Sequence, residues 1–203
     1  MFTQKELKII KKLNTPSKIQ DFLNKLNPNI SNGKYNDTCN SPKLVLKYKK
    51  AHCIEGAIFA AAVLRYHNQE PLILDLEATK KDYDHVIALF KRNNKWGAIS
   101  KTNHTVLRYR DAIYKNIREL VMSYFHEYTD NNGNKTLRRF SNPINLKIFD
   151  KYNWMESEDE VWYIPEYLTK VKHHEILTKK EIKNLRKADK IEIKVGKLRE
   201  WRN

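Results

Sequence analysis

The chain has 203 residues, of which 40% are hydrophobic and 31% charged, and its formal net charge is +15. This composition predicts one globular domain with a buried core and excludes a disordered or fibrous protein. The N-terminal segment MFTQKELKIIKKLN interrupts its apolar residues with lysines, and no run of 18 apolar residues occurs. We therefore expect a cytoplasmic protein with neither a secretory signal nor a membrane partner.

The positive charge favours polyanionic partners, among which nucleic acid is the usual one for a lysine-rich chain. The lysines are dispersed, however, and accompany abundant Asn and Ile, as drift toward AT-rich codons would also produce. Nucleic acid stays open as a partner, and nothing in the sequence indicates an oligomeric state.

Two helix starts open the chain. The first is TQKE, Thr3 to Glu6, and the second is TPSKIQDFLNKL, in which Thr15 caps and Pro16 takes the first helical position. Residues 27–42 are rich in Asn, Gly, Ser and Pro, which favour turns. We expect two short amphipathic helices followed by a long loop.

The stretch AHCIEGAIFAAAVLRYH places Cys53 directly ahead of an apolar run with helical spacing, which predicts a buried helix that ends near His67. After Pro71, LILDL and HVIALF are apolar runs suited to buried strands, and KWGAIS follows the polar KRNN. The last two runs predict a hairpin with the Asn pair in its turn. The expected order is helix, strand, strand, strand.

Downstream, the spacing of apolar residues predicts a long amphipathic helix over 111–129. NLKIFDKY and EVWYIPEYL are compatible with strands, and KIEIKV alternates as a strand does. A capping box from Thr178 to Glu181 predicts one more helix start.

Cys53 and Cys39 are the only cysteines, too few for a disulfide framework, so we expect reduced thiols, although a bond between them stays open. A cysteine in the first turn of a helix meets the positive end of the helix dipole, which stabilises a thiolate. His85 follows 32 residues later at the entry to a predicted strand. Thiolate and imidazole within hydrogen-bond reach form a nucleophile and its base. The competing interpretation is that Cys53 is a small buried hydrophobe.

A third polar group must orient the imidazole. A four-residue hairpin loop places Ser100 opposite His85, whereas a three-residue loop places Asn103 there. Asp82 and Asp84, in the loop just before His85, are further candidates. The sequence favours Ser100 or Asn103 but does not decide the register.

Cys53 at the head of a small-residue helix, His85 on the following sheet and a polar residue after a W-G strand resemble the transglutaminase-like superfamily, whose wider relatives are the papain-like cysteine enzymes. The resemblance covers roughly residues 37–103. It implies helices packed on an antiparallel sheet and a Cys-His-Asp triad for acyl transfer, with Cys53 as nucleophile and His85 as base. The aspartate of the family falls on Ser100, whose hydroxyl cannot stabilise an imidazolium by charge.

We therefore predict an α+β fold of papain-like or transglutaminase-like architecture in one domain, 1–203, with a core over about 37–130 and a C-terminal extension, 131–203, packed on it. The predicted function is thiol-dependent acyl chemistry on a peptide or amide substrate, either hydrolysis or acyl transfer. The alternative is a catalytically weak or inactive module of the same fold that binds nucleic acid or an acidic protein through its basic surface.

Further candidate residues surround this centre. Asn40 and Trp96 are candidates for the oxyanion hole or for substrate contacts, beside the backbone N–H of the nucleophile itself. KTLRRF groups Lys135, Arg138 and Arg139 as an anion-binding candidate. The chain has neither a C-x2-C nor an H-E-x-x-H pattern, and its five glycines are scattered, so we expect no metal site, no phosphate loop and no cofactor.

Overall fold

The protein is described by a computed structural model that covers residues 1–31, 34–35 and 38–200. Its helices are α1 (Gln4–Lys12), α2 (Pro16–Asn24), α3 (Pro42–Tyr48), α4 (Cys53–Tyr66), α5 (Ile117–Met122), α6 (Tyr163–Leu168), α7 (Lys179–Lys183) and α8 (Lys190–Gly196). Its strands are β1 (Ile30–Ser31), β2 (Lys34–Tyr35), β3 (Leu72–Ala78), β4 (His85–Arg92), β5 (Lys95–Ile99), β6 (Arg110–Tyr114), β7 (Leu137–Ser141), β8 (Ile144–Asn145) and β9 (His173–Glu175). No helix within these ranges has the length and apolarity needed to cross a bilayer.

The fold is α+β, with helices on a seven-stranded antiparallel sheet in the order β6-β5-β4-β3-β7-β9, and β8 also pairs with β3. β1 and β2 form a separate ribbon. β7 and β8, which come late in the chain, pair directly with β3. The last third of the chain therefore contributes strands to the sheet that carries the predicted site.

Both faces of the central sheet are covered, which explains the continuous apolar runs of β3 and β4. Along β4, Val86 and Ala88 belong to the core shared with α1–α4, whereas Ile87 and Leu89 belong to the core on the α5 side. α4 is buried along most of its length in the first core. Its N-terminus is thereby held against the sheet.

The predictions for the first hundred residues are largely confirmed. Thr3 and Thr15 cap α1 and α2 through their side chains, and α4 ends at Tyr66 with His67 as its C-cap. β3, β4 and β5 follow in the predicted order. The predicted loop over 27–42 holds the β1–β2 ribbon, and its residues 32–33 and 36–37 lie outside the described part of the chain.

The helix predicted over 111–129 is wrong. Residues Arg110–Tyr114 form the edge strand β6, which pairs with β5, and Ile113 is 65% exposed. Asn116 then caps the short α5, and a 3-10 helix follows over Phe125–Glu127. The open edge of β5 offers main-chain hydrogen bonds to this segment, which favours a strand in spite of the helical spacing of its apolar residues. The cap at Asn116 places the start of α5 after this strand.

Three strand predictions near the C-terminus are also wrong. NLKIFDKY is a 3-10 helix over Leu146–Tyr152, and EVWYIPEYL contains α6. KIEIKV forms α8, because Asp189 and Glu192 make a capping box at its start. The predicted capping box at Thr178 is confirmed and begins α7.

Candidate functional site

A cleft of about 560 Å³ opens at the N-terminal end of α4. This volume lies within the range of small-molecule and peptide side-chain sites. Among the residues that line it are Cys53, His85, Lys101, Asn103, Trp162 and Lys197. The cleft thus joins the start of the cysteine helix, the start of β4 and the segment after β5.

Cys53 is the first residue of α4 and is partly exposed, and the imidazoles of His52 and His85 line the same cleft beside it. Burial opposes the thiolate, but the hydrogen bonds from both rings outweigh it and lower the pKa of Cys53 to about 5. The same contact raises the pKa of His52 in spite of its burial. The site therefore holds a thiolate at neutral pH.

His85 is 6% exposed, and its Nε2 lies 2.7 Å from the Ser100 hydroxyl oxygen. The single Ser100 proton is donated to the backbone carbonyl of Leu107. Ser100 must then accept from His85 Nε2–H. This tautomer leaves Nδ1 as the ring nitrogen without a proton, which is the state that a base requires.

The hairpin register matches neither of the two predicted ones. Its loop has two residues, Asn93 and Asn94, with φ of 50° and 57°, which a two-residue hairpin turn of this type requires at both positions. The last rung of the β4–β5 ladder joins Ala88 to Ile99, so His85 lies beyond the paired part of the hairpin.

A helix side chain replaces the missing strand partner of Ser100. Gln20 on α2 accepts from the Ser100 N–H at 2.9 Å and donates to the Ser100 carbonyl at 2.7 Å. On the far side, Leu107 has the rare φ of 59° and donates its N–H to Glu127 at 2.6 Å. Backbone outliers of this kind persist where their surroundings hold them. These contacts aim the Ser100 hydroxyl at the imidazole.

Glu55 is a fully buried carboxylate that ties the helix start to the preceding loop. It accepts from the backbone N–H of His52 at 2.9 Å and from Thr38 Oγ1 at 2.8 Å. Asn40 donates both its backbone N–H, at 2.9 Å, and its Nδ2, at 2.6 Å. Asn40 lines a separate cavity, so the structure does not bring this oxyanion candidate to the cleft of Cys53.

The other candidates for the third group lie near His85 in different roles. Asn103 is buried and lines the cleft, and its carbonyl accepts from Glu200 N–H. Asp82 and Asp84 also line the cleft; Asp84 accepts from the Ala78 N–H at 2.8 Å, and Asp82 accepts from a threonine hydroxyl. The Ser100 side chain bonds the His85 ring directly.

Trp96 and the basic cluster lie apart from the cleft. Trp96 packs against the core on the α5 side, and the Lys91 Nζ lies 4.3 Å from the centre of its ring. Lys135 is buried, Arg139 is paired with a glutamate of β3, and Arg138 donates to a neighbouring carbonyl. The structure does not assemble these three cations around one exposed site.

Lys101 crosses the first turn of α4 and closes one wall of the cleft. Its ammonium donates to the Leu26 carbonyl at 2.7 Å, and burial lowers its pKa to about 8. A Cβ on residue 56 would lie 2.3 Å from Lys101 Cβ, so only glycine allows this approach.

The sequence-based reasoning missed His52, Gln20, Glu55 and Leu107. His52 and Glu55 are recognisable in the sequence. In the motif H-C-I-E, His52 is a polar residue at the cap position, and Glu55 is the only charge in an otherwise apolar stretch. Gln20 and Leu107 are not recognisable in this way, since their roles come from contacts with distant segments.

Within the part of the chain that the structure describes, no cluster of His, Cys, Asp and Glu is suited to hold a metal ion. Cys39 and Cys53 are not joined in a disulfide. No model of a known protein family matches this sequence, and no curated protein matches it either. The geometry of the cleft is therefore what supports a functional inference.

Proposed function

We propose that the protein performs thiol-dependent acyl chemistry on an amide or peptide. The observation that carries this proposal is the arrangement in the cleft: Cys53 at the start of α4 and His85 at the start of β4 line it together, and the Ser100 hydroxyl holds the ring of His85. A low thiol pKa, an imidazole and an orienting group at one cleft are the parts that a cysteine hydrolase or acyltransferase needs.

In the proposed reaction the Cys53 thiolate attacks the carbonyl carbon, and the new C–S bond leaves an oxyanion. The C–N bond then breaks as the leaving nitrogen takes a proton from imidazolium, which gives an amine and a thioester. Water or a second amine next attacks the thioester and loses its proton to neutral His85. The sulfur leaves as thiolate, so one proton and one acyl group are accounted for in each half.

The oxyanion needs hydrogen-bond donors near the sulfur. Cys53 is the first helical residue of α4, and the N–H groups in the first turn of a helix have no intrahelical acceptor. The positive end of the helix dipole adds to their effect. We assign the backbone N–H of Cys53 as one donor.

The same arrangement supports a transglutaminase-like or papain-like core: a cysteine at the start of a buried helix, packed on an antiparallel sheet whose second central strand carries the histidine. The departure is Ser100, which orients the ring without the charge of an aspartate. We expect slower turnover than a carboxylate triad would give.

The test uses an activated ester, p-nitrophenyl acetate, and a panel of peptide amides. We expect an acyl adduct on Cys53, found by intact mass and peptide mapping, and its decay with release of product. Cys53→Ala should abolish the adduct, whereas Cys39→Ala, a matched change at the buried thiol, should retain it. Acylation that persists in Cys53→Ala, or no adduct in the wild-type protein, would contradict the proposal.

The second candidate is a binding module without turnover. The absence of a charged third group and the net charge of +15 favour it. A labelled oligonucleotide is the probe, and binding that weakens steeply as salt rises would support nucleic acid as the partner. Tight, salt-sensitive binding without an acyl adduct favours this candidate.

A further inference from the structure

The cleft contains a second imidazole beside the sulfur, that of His52, the residue directly before Cys53. Its side chain is only 16% exposed. Its Nε2 lies 2.7 Å from the carbonyl oxygen of Thr38. Because a carbonyl only accepts, this nitrogen carries a proton, and Nδ1 is the atom left for the first turn of α4, where the backbone N–H of Glu55 and the Cys53 side chain lie.

The surroundings of His52 favour its charged form. The Glu55 carboxylate lies 3.7 Å from His52 Nε2 and is fully buried, where charge interactions are little screened. The groups that bond Glu55 are N–H and O–H donors, as a carboxylate requires. An imidazolium at His52 therefore meets both a carbonyl and a carboxylate.

His85 lacks this support. Its Nε2 bonds the neutral hydroxyl of Ser100, and among the described residues no carboxylate lies within ion-pair distance of its ring. The two rings contact the same sulfur, but only one has a partner that stabilises a positive charge. The environments of the two imidazoles thus separate their acid and base roles.

We propose that His52 is a second catalytic residue, which holds the thiol proton in the resting protein and leaves His85 as the base for the incoming water or amine. The transfer is internal: the Cys53 S–H bond breaks, His52 Nδ1 takes the proton, and a thiolate–imidazolium pair forms. After each turnover the proton that His85 has taken from the water or amine returns to His52 through the Cys53 sulfur, which restores this pair. The role in turnover rests on the proposed function, whereas the proton assignment is measurable without a substrate. The other titratable groups that face this pair are Glu55, His85, Cys39, Asp75 and Tyr128.

The experiment measures the rate of Cys53 alkylation by iodoacetamide against pH, with peptide mapping, on the full chain. For His85→Gln we expect a small rise of the midpoint, since this ring also lowers the pKa of the thiol but has only a neutral hydroxyl as its partner. For His52→Gln we expect it to rise by about two pH units, since the thiolate loses its charged partner. His67→Gln is the matched control, because His67 lies at the other end of α4 and also bonds a backbone carbonyl, that of Ile10 at 3.0 Å.

A midpoint that rises at least as far in His85→Gln as in His52→Gln would overturn the assignment and leave the acyl chemistry standing. The expected midpoints together with no acyl adduct on Cys53 would support the His52 assignment and contradict the acyl chemistry. If His52→Gln does not fold, NMR titration of the wild-type histidine rings decides: we expect the pKa of His52 to fall once Cys53 is alkylated. An unchanged His52 titration would also overturn the proposal.

Discussion

The two cysteines lie 14 residues apart in the chain, on either side of the segment that Glu55 ties together, yet their chemistry is opposite. Cys39 is fully buried, and burial together with the charges of Glu55 and Glu160 raises the pKa of its thiol well above the usual value. Cys53 contacts two imidazoles at the edge of a cleft, and its pKa is about 5. The comparison teaches that the partners of a thiol, rather than its neighbours in sequence, decide its reactivity.

The largest expected effect is the difference in alkylation rate between these thiols. At about pH 7 we expect Cys53 to react with iodoacetamide more than about a thousandfold faster than Cys39, because only a thiolate attacks. The Cys53 rate should be level from pH 8 to pH 6 and fall by half near pH 5, where the pKa of its thiol lies. Peptide-mapped kinetics measure both rates. Equal rates for the two thiols would remove the basis of the comparison.

Glu55 connects the two regions, so its removal should affect both. Glu55→Ala leaves the donors of Thr38, Asn40 and His52 unsatisfied, and we expect the free energy of unfolding to fall by about 3 kcal/mol. Denaturant unfolding measures this loss, and Cys39 should become open to alkylation. Glu55→Gln is the control that keeps the shape and should cost about half as much. A loss as small as that of a surface substitution would contradict the bridging role.

Substitutions at Ser100 test whether its hydroxyl orients the His85 imidazole. Ser100→Ala should lower the rate of acyl-adduct decay about tenfold, because the His85 ring that takes the proton from water loses its acceptor. Ser100→Asp should not restore the rate, since a carboxylate cannot donate to the Leu107 carbonyl as the hydroxyl does. Burst kinetics with p-nitrophenyl acetate measure the effect. Asn103→Ala is the matched change in the same cleft, and a larger loss there would transfer the orienting role to Asn103.

The smallest expected effect belongs to Cys39. Cys39→Ala removes one buried sulfur from the core, and we expect a loss of about 1 kcal/mol in the free energy of unfolding. The rate of acylation and the alkylation profile of Cys53 should not change. Thermal or denaturant unfolding checks the first statement and ester kinetics the second. A Cys39→Ala protein that loses acylation would show that the two regions are coupled through more than Glu55.

The elements that carry the site were predictable where local signals agree. The caps at Thr3 and Thr15 and the apolar spacing after Cys53 predicted helices that the structure contains. Ser100 was a predicted partner of His85, but on the assumption of a register that does not occur. Its real position depends on Gln20, which holds both of its backbone groups from 80 residues away.

The predictions failed where a distant segment competes with local preference. The residues after Arg110 have helical periodicity but form strand β6, because they pair with the open edge of β5. KIEIKV alternates as a strand does but forms α8, because the capping box at Asp189 begins a helix. An edge strand forms only if a neighbouring strand is present, which a window of sequence does not contain. The same limit applies to Lys135 and Arg139 of KTLRRF, whose ion-pair partners lie on other elements.

By itself the sequence determined that Cys53 begins a buried helix and that His85 begins a strand, because helix caps, small residues and apolar runs act over a few neighbouring positions. Only the tertiary structure decided that His52 and His85 contact the same sulfur and that Ser100 holds one of the rings. These contacts join segments tens of residues apart, and their geometry depends on how the helices pack on the sheet.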